Sequence, residues 1–262
     1  MVVLKFDMHC HTKEGSIDGK VPVARYAELL KDEGFGGMLV TDHDSYKGYQ
    51  WSADNREQMP ADFTVLMGIE YDTKDSGHFL VIMPDGIKLK ALQIRGMSIE
   101  LLIQLVHHFG GILGPAHPFG MRSSSAMLFS KLAKDPHLIR EFDFVEGFNT
   151  CETIQANQLA QKLADKYNKQ CFGGTDAHKE EYIGMGFTDF DRDITCNNDL
   201  IACVKDGGVA AFGGTERKLL LRHMKRYSLT ATYGFRGYNR LLGLVFTPYR
   251  RSKVRNAFEH KL

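Results

Sequence analysis

The sequence predicts an α/β fold in which strand and helix alternate around a largely parallel sheet that closes like a barrel. Three observations carry that prediction. Short apolar runs, mostly bounded by turn residues, alternate with stretches of helical periodicity. Seven such runs are present, enough for a sheet to curl on itself. Most run into a short cassette of histidine and acid, as strand ends sharing one rim would.

Residues 2–6 form the first run and lead into Asp7, His9 and His11. Residues 23–33 read as a helix, with Tyr26, Leu29 and Leu30 at helical spacing and a stop at Gly34. Run 37–40 leads to Thr41-Asp42-His43-Asp44, and run 63–69 ends at Glu70. Run 79–83 follows Gly77-His78. The helix predicted over 99–109 has Ser98 as its N-cap and Ile99, Leu102, Ile103 and Val106 on one face. Run 111–114 precedes Ala116-His117-Pro118. Run 144–148 is followed by a helix over 153–167 carrying Ile154, Leu159 and Leu163. Run 171–173 opens onto Gly174-Thr175-Asp176-Ala177-His178, and residues 198–204 form a shorter helix.

The 262 residues suffice for one large domain, and the 43% hydrophobic and 25% charged content is ordinary for a soluble globular protein. No apolar run approaches the roughly 20 residues a membrane span needs. The first residues turn polar too soon for a signal peptide. Five cysteines without a CxxC pair read as reduced thiols, so a cytoplasmic location is expected. Strand alternation turns Cys10 away from its histidine neighbours. Charge is uneven. Residues 217–262 hold twelve Lys or Arg against one acid, Glu259, a net of +11 in a chain of net +1. The expected division is a catalytic body over 1–216 and a basic extension over 217–262. That extension either packs on the acidic body or meets an anionic partner. Its Tyr227, Tyr233, Phe235 and Tyr238 interleave with Arg226, Arg236 and Arg240, a pattern able to stack bases or dock on anionic lipid.

His9 and His11 are two apart at a strand end, so both face one side and one metal can take both. Asp7 falls on the same face by the same count. Asp176 and His178 repeat the spacing. Glu70 offers two oxygens and can bridge two cations. Imidazole with carboxylate suits Zn, Fe and Mn, whereas oxygen ligands alone would suit Mg or Ca.

Over residues 6–178 these motifs resemble the polymerase-and-histidinol-phosphatase (PHP) family of metal-dependent phosphoesterases. Asp7-Met-His-Cys-His-Thr12, Ser16-Ile-Asp18-Gly19 and Thr41-Asp-His-Asp44 carry the likeness, with Glu70, His78, His117-Pro118 and Asp176-Ala-His178. The resemblance implies a distorted (β/α)7 barrel with two or three divalent ions (Zn, Mn or Fe) at the C-terminal rim. It implies one ion on His9, His11, Glu70 and Asp176. A second would share Glu70 and take His78 and His117. A third would take Asp18, His43 and His178. His107 and His108 are alternatives to His78, on a predicted helix.

Paired cations roughly 3.5–4 Å apart ionise water and clamp phosphoryl oxygens. The expected reaction is therefore attack of hydroxide on phosphorus, in line with the leaving alkoxide. His43 or His178, if free of a third ion, can protonate that alkoxide. Arg122, and more weakly Lys179, are candidates to grip a phosphate oxygen. The expected substrate is a small phosphomonoester such as a nucleotide or sugar phosphate. Alternatives are a single-strand nuclease using the basic tail, a metal-dependent amidohydrolase, and a metal-loaded regulatory module. Oligomeric state is left open.

Overall fold

The computed structural model describes residues 5–120, 124–217, 234, 237, 238 and 241–259. Residues 2–4 of the first run, Arg122, and Arg226, Tyr227, Tyr233, Phe235, Arg236 and Arg240 of the tail lie outside them.

The strands are β1 (Lys5–Cys10), β2 (Phe35–Val40), β3 (Thr64–Asp72), β4 (His78–Ile82), β5 (Ile112–Pro115), β6 (Phe144–Asn149), β7 (Gln170–Gly174), β8 (Gly186–Phe190) and β9 (Val209–Gly214). The helices are α1 (Val23–Asp32), α2 (Lys47–Asp54), α3 (Ile99–His108), α4 (Ser130–Lys134), α5 (His137–Arg140), α6 (Ile154–Tyr167), α7 (Asn197–Lys205) and α8 (Thr247–Glu259). Each of the seven anticipated runs falls on a strand; β8 and β9 were not anticipated. Ser98 caps α3 and Thr153 caps α6, each side chain accepting from a backbone N–H of the first turn.

The sheet departs from simple β-α repetition. Seven strands run in the order β5-β4-β3-β2-β1-β8-β9, and β6 pairs with β7 apart from them. β1, β2 and β3 are parallel, as are β6 and β7. β4 is antiparallel to β3 and to β5, and β8 is antiparallel to β1 and to β9. Only residues 73–77 join β3 to β4, too few for the crossover a parallel pair needs. Gly77 makes that turn at φ +75, where an added Cβ would collide with the Ser124 carbonyl oxygen.

The β6–β7 pair fills the gap between β5 and β1. Asp143 N donates to Leu113 O at 2.9 Å, and Asp176 N donates to His9 O at 2.9 Å. Phe6, Leu39, Leu66, Leu80, Ile112, Phe144, Phe172 and Phe190, from β1 through β8 in turn, belong to one buried cluster. Side chains from eight strands can meet only if the sheet curls around them. The Phe144 and Phe172 rings stack at 4.1 Å at its centre. Leu200, Ile201 and Val204 of α7 join the same cluster. The protein is thus an α/β fold around a curled half-barrel sheet.

On the outer face α1 seals β1 and β2 with Tyr26, Ala27 and Leu30. Val254 of α8 is buried with Ile99, Leu102 and Leu105 of α3. No helix among the described residues is long and apolar enough to cross a membrane.

Candidate metal centre

A bulge in β1 aims the first histidines. Asp7 is in register with Met38 and Cys10 with Val40, so three steps on β1 match two on β2. Met8 therefore packs in the barrel interior, while the next residue, His9, also turns inward at the rim. Cys10 faces outward against Tyr26, as alternation predicts. Asp7 does not share the histidine face. The bulge turns it outward, where its carboxylate accepts from Tyr26 Oη at 3.0 Å and Thr175 N at 2.9 Å. β6 carries a second register shift, between Glu146 and Phe148.

Glu70 lies at the centre, 1% exposed near the end of β3. Its Oε1 is 2.8 Å from His78 Nδ1 and 2.9 Å from His117 Nε2. Its Oε2 is 3.1 Å from His43 Nδ1, 3.2 Å from His11 Nε2 and 3.5 Å from His9 Nε2. Asp176 Oδ1 lies 3.2 Å from His11 Nε2 and 3.7 Å from His9 Nε2. Beyond His11 the cluster opens toward solvent. Asp18 Oδ2, on a half-exposed side chain, is 3.0 Å from His178 Nε2 and 3.6 Å from His43 Nε2. All nine metal-ligand candidates named from the sequence are brought to this rim. His78 opens an antiparallel strand rather than following a parallel one. His107 pairs with Asp143 at 3.0 Å, and His108 packs on Phe258; neither touches the cluster. Lys179 leans toward Glu181 at 3.7 Å.

Two of these residues hold strained backbone. His117 sits at φ +31 and Asp176 at φ +50, values that cost of order 1–3 kcal/mol outside glycine and collect at functional sites.

Sequence reasoning missed Glu146, a buried acid inside a strand of apolar neighbours. Its Oε1 is 2.8 Å from His9 Nδ1, and its Oε2 accepts from the His117 backbone N–H and from Asn149 Nδ2. An acid in so apolar a run was the available signal. Ser16 Oγ, 3.1 Å from His11 Nδ1, and Ser125 Oγ, 3.4 Å from His117 Nδ1, face the outer nitrogens of two more imidazoles. Arg217, after β9, lies beside Cys151, whose Sγ is 3.4 Å from the Asp176 carbonyl oxygen. Its guanidinium lies over the Tyr182 ring at 4.5 Å and its Nη1 is 3.7 Å from Cys151 Sγ.

Burial favours neutral groups, yet the charges here oppose it. Burial pushes Glu70 up, but His78, His43 and His9 outweigh it and hold the carboxyl well below its usual range. Burial pushes Asp18 up, and His178 and His43 more than reverse this. Burial lowers His11, but Asp176 and Glu70 raise it to about 10. His9 is raised well above normal against burial by Glu146, Asp176 and Glu70. For His43 burial prevails and the pKa falls.

The donor set fits divalent cations. His9 Nε2 and His11 Nε2 face each other at 3.1 Å, so without a cation only a proton can reconcile them. His178 Nε2 is buried and lacks a hydrogen-bond-aligned partner. Among the described residues, three groups have ligand atoms within 4.8 Å of one another: His9, His11 and Asp176; His43, Glu70 and His78; and His11, Asp18, His43 and His178. Nitrogen with carboxylate oxygen is the set expected for Zn, Mn or Fe.

Residues 155–209 match the family model described as PHP-associated. The chain has no match among curated protein sequences. Among solved structures it is similar to PsfC from Pseudomonas syringae, at 17% identity and TM-score 0.61, over 96% of this chain and 99% of that one. It is also similar to a two-domain protein from Bacteroides vulgatus containing a predicted PHP-like metal-dependent phosphoesterase. That match has 17% identity and TM-score 0.63, and covers 81% of this chain and 65% of that one. A third similar structure is Endonuclease Q bound to duplex DNA with an abasic lesion, at 16% identity and TM-score 0.58, over 89% and 67%. A PHP-associated family model over residues 155–209 and a fold shared with a structure containing a PHP-like domain are thus what this chain is similar to.

Proposed function

We propose that the protein is a metal-dependent phosphoesterase that hydrolyses a small phosphomonoester, such as a nucleotide or sugar phosphate. The observation that carries this reading is Glu70, whose two oxygens are approached by five imidazoles, two at Oε1 and three at Oε2. A carboxylate so placed is suited to bridging two cations. In this reading His9, His11, Glu70 and Asp176 hold one ion, Glu70 with His78 and His117 a second, and Asp18, His43 and His178 a third. The bound cations supply Lewis-acid charge for phosphoryl oxygens and ionise water near neutrality.

The remaining chemistry belongs to the chain. Glu146 holds the proton on His9 Nδ1 and leaves Nε2 facing inward. The more exposed side, at Asp18, His43 and His178, is where substrate enters. His43, lowered by burial, is neutral near pH 7, a state suited to a ligand. If the outer ion is absent, His178, or His43 once it has taken up a proton, is placed to protonate the leaving alkoxide. Arg217, like Arg122, is a candidate to fork onto a phosphoryl oxygen. Glu70, His43, His178 and one of these arginines are the catalytic set of this reading.

A second reading is a nuclease. The likeness to Endonuclease Q and the +11 charge of residues 217–262 favour it. The deciding experiment is metal analysis of the purified protein, with a hydrolysis screen of nucleotides, sugar phosphates, oligonucleotides and amides. Phosphomonoester turnover that needs a divalent ion supports the proposal. Steeply salt-dependent cleavage of oligonucleotides alone supports the nuclease. Turnover of amides alone would move the chain to amidohydrolase chemistry. Bound metal without any turnover would favour a regulatory module.

A further inference from the structure

Behind His78 and His43 lies an ion network that the ligand set does not use. Arg95 lies in the connection from β4 to α3, just after a 3-10 turn at Lys90–Gln93. Its Nε and Nη2 each approach Asp44 Oδ2 at 3.1 Å, and its Nη1 approaches Asp72 Oδ2 at 3.4 Å. Asp44 directly follows His43, with φ +47, and its Oδ1 accepts from Asp72 N at 3.1 Å. Asp72 ends β3 two residues after Glu70, and its Oδ1 faces His78 Nε2 at 3.8 Å. One guanidinium therefore ties the segment bearing His43 to the segment bearing Glu70. It also fixes the carboxylate that looks onto the outer nitrogen of His78.

The network has a second anchor in the C-terminal segment. Arg250 of α8 is only 7% exposed. Its Nη1 donates to the Arg95 carbonyl at 2.7 Å, and its Nη2 donates to Gly243 O and Thr247 Oγ1, each at 3.1 Å. Gly96, at φ +92, meets Gly243 so closely that an added Cβ would lie 3.1 Å from the Gly243 Cα. The basic extension is thus keyed into the connection that carries Arg95. Burying a guanidinium is costly unless it is hydrogen-bonded, and here its partners include the backbone of that connection.

We propose that Arg95 is a positioning residue of the metal centre, latched from outside by Arg250 of the C-terminal helix. The Arg95 fork holds Asp44 and Asp72 so that His78 presents the correct nitrogen to the ion it shares with Glu70, and His43 to the outer ion it shares with Asp18. This rests on the metal-centre reading above. The C-terminal helix is then part of the metal site's scaffold rather than a separate module. Partners of this kind, one layer behind the ligands, typically change metal affinity by about 10–100-fold when altered.

The test uses the full chain, metal-stripped and titrated with Mn²⁺ and Co²⁺, for the wild type and for Arg95→Lys, Asp72→Asn and Arg250→Met. Arg95→Lys keeps the charge and loses the fork, so folding is preserved where Arg95→Ala would leave two acids unpaired. The expected result is a roughly tenfold or greater weakening of one bound ion in Arg95→Lys and Asp72→Asn, and a smaller weakening in Arg250→Met. A shifted visible spectrum of the Co²⁺ form is expected in the same variants. A purely structural role would lower the melting temperature and leave that spectrum unchanged, which would overturn the proposal. Wild-type affinity and spectrum in Arg95→Lys and Asp72→Asn would overturn it too, while leaving the metal reading intact. A wild-type protein that binds no divalent ion would overturn both.

Discussion

His9 Nδ1 lies 2.8 Å from Glu146 Oε1, joining residues 137 positions apart inside the barrel mouth. This contact selects the tautomer of a buried imidazole: Nδ1 keeps its proton and Nε2 turns to Glu70 and Asp176. The same carboxylate receives the backbone N–H of His117, whose φ of +31 needs such support.

Glu146→Gln is therefore expected to weaken metal binding about tenfold, and Glu146→Ala about a hundredfold. Competition titration against a chromogenic chelator reads both. Equal affinities in the two variants and wild type would remove Glu146 from the account.

Metal loading should release protons. In the cation-free protein Asp176 and Glu70 raise His11 to about 10, so its imidazole is charged at pH 7. A cation must displace that proton, so affinity rises with pH up to the region of that value. Calorimetry in two buffers of different ionisation enthalpy should show about one proton or more released per protein. Heats independent of buffer would contradict it.

Gly174 ends β7 against β1. A Cβ added there would lie 2.6 Å from His9 Cβ and 2.7 Å from His9 N, and the second of these is backbone that cannot swing aside. Gly174→Ala should cost about 1–3 kcal/mol of stability and displace His9. Denaturant unfolding, together with metal content, would show both losses; a stable, fully loaded variant would argue against this packing.

Asp18 is the half-exposed member of the cluster. Asp18→Asn should lower metal stoichiometry by one ion with little change in unfolding midpoint. Elemental analysis after dialysis against metal-free buffer checks it. Unchanged stoichiometry would take Asp18 out of the ligand set.

Much of this site was legible because its residues sit where strands end. His9 and His11 obey a period of two, and Glu70 and His117 follow apolar runs that the sequence marks clearly. The orientation of Asp7 was not legible, because a one-residue bulge inverts the count and no residue type announces it. Glu146 was missed because it stands within a strand, not in a cassette. The antiparallel β4 could have been read from the five residues separating it from β3, but the repeating pattern suggested a largely parallel sheet. β8, with sequence Gly-Phe-Thr-Asp-Phe, alternates buried and half-buried positions, and β9 is largely Ala and Gly. Neither resembles the buried runs that flag the other strands. Asp18 and His178 come together only through tertiary structure, 160 residues apart.

The most direct measurement pairs metal content with phosphomonoester hydrolysis in Glu70→Ala and wild type. Wild type should carry at least two divalent ions and turn over. Glu70→Ala should stay folded by circular dichroism while losing at least one ion and more than about a hundredfold in kcat/KM, since it removes charge at the point where two ion sites meet. A folded Glu70→Ala protein that kept full metal content and comparable turnover would contradict the account.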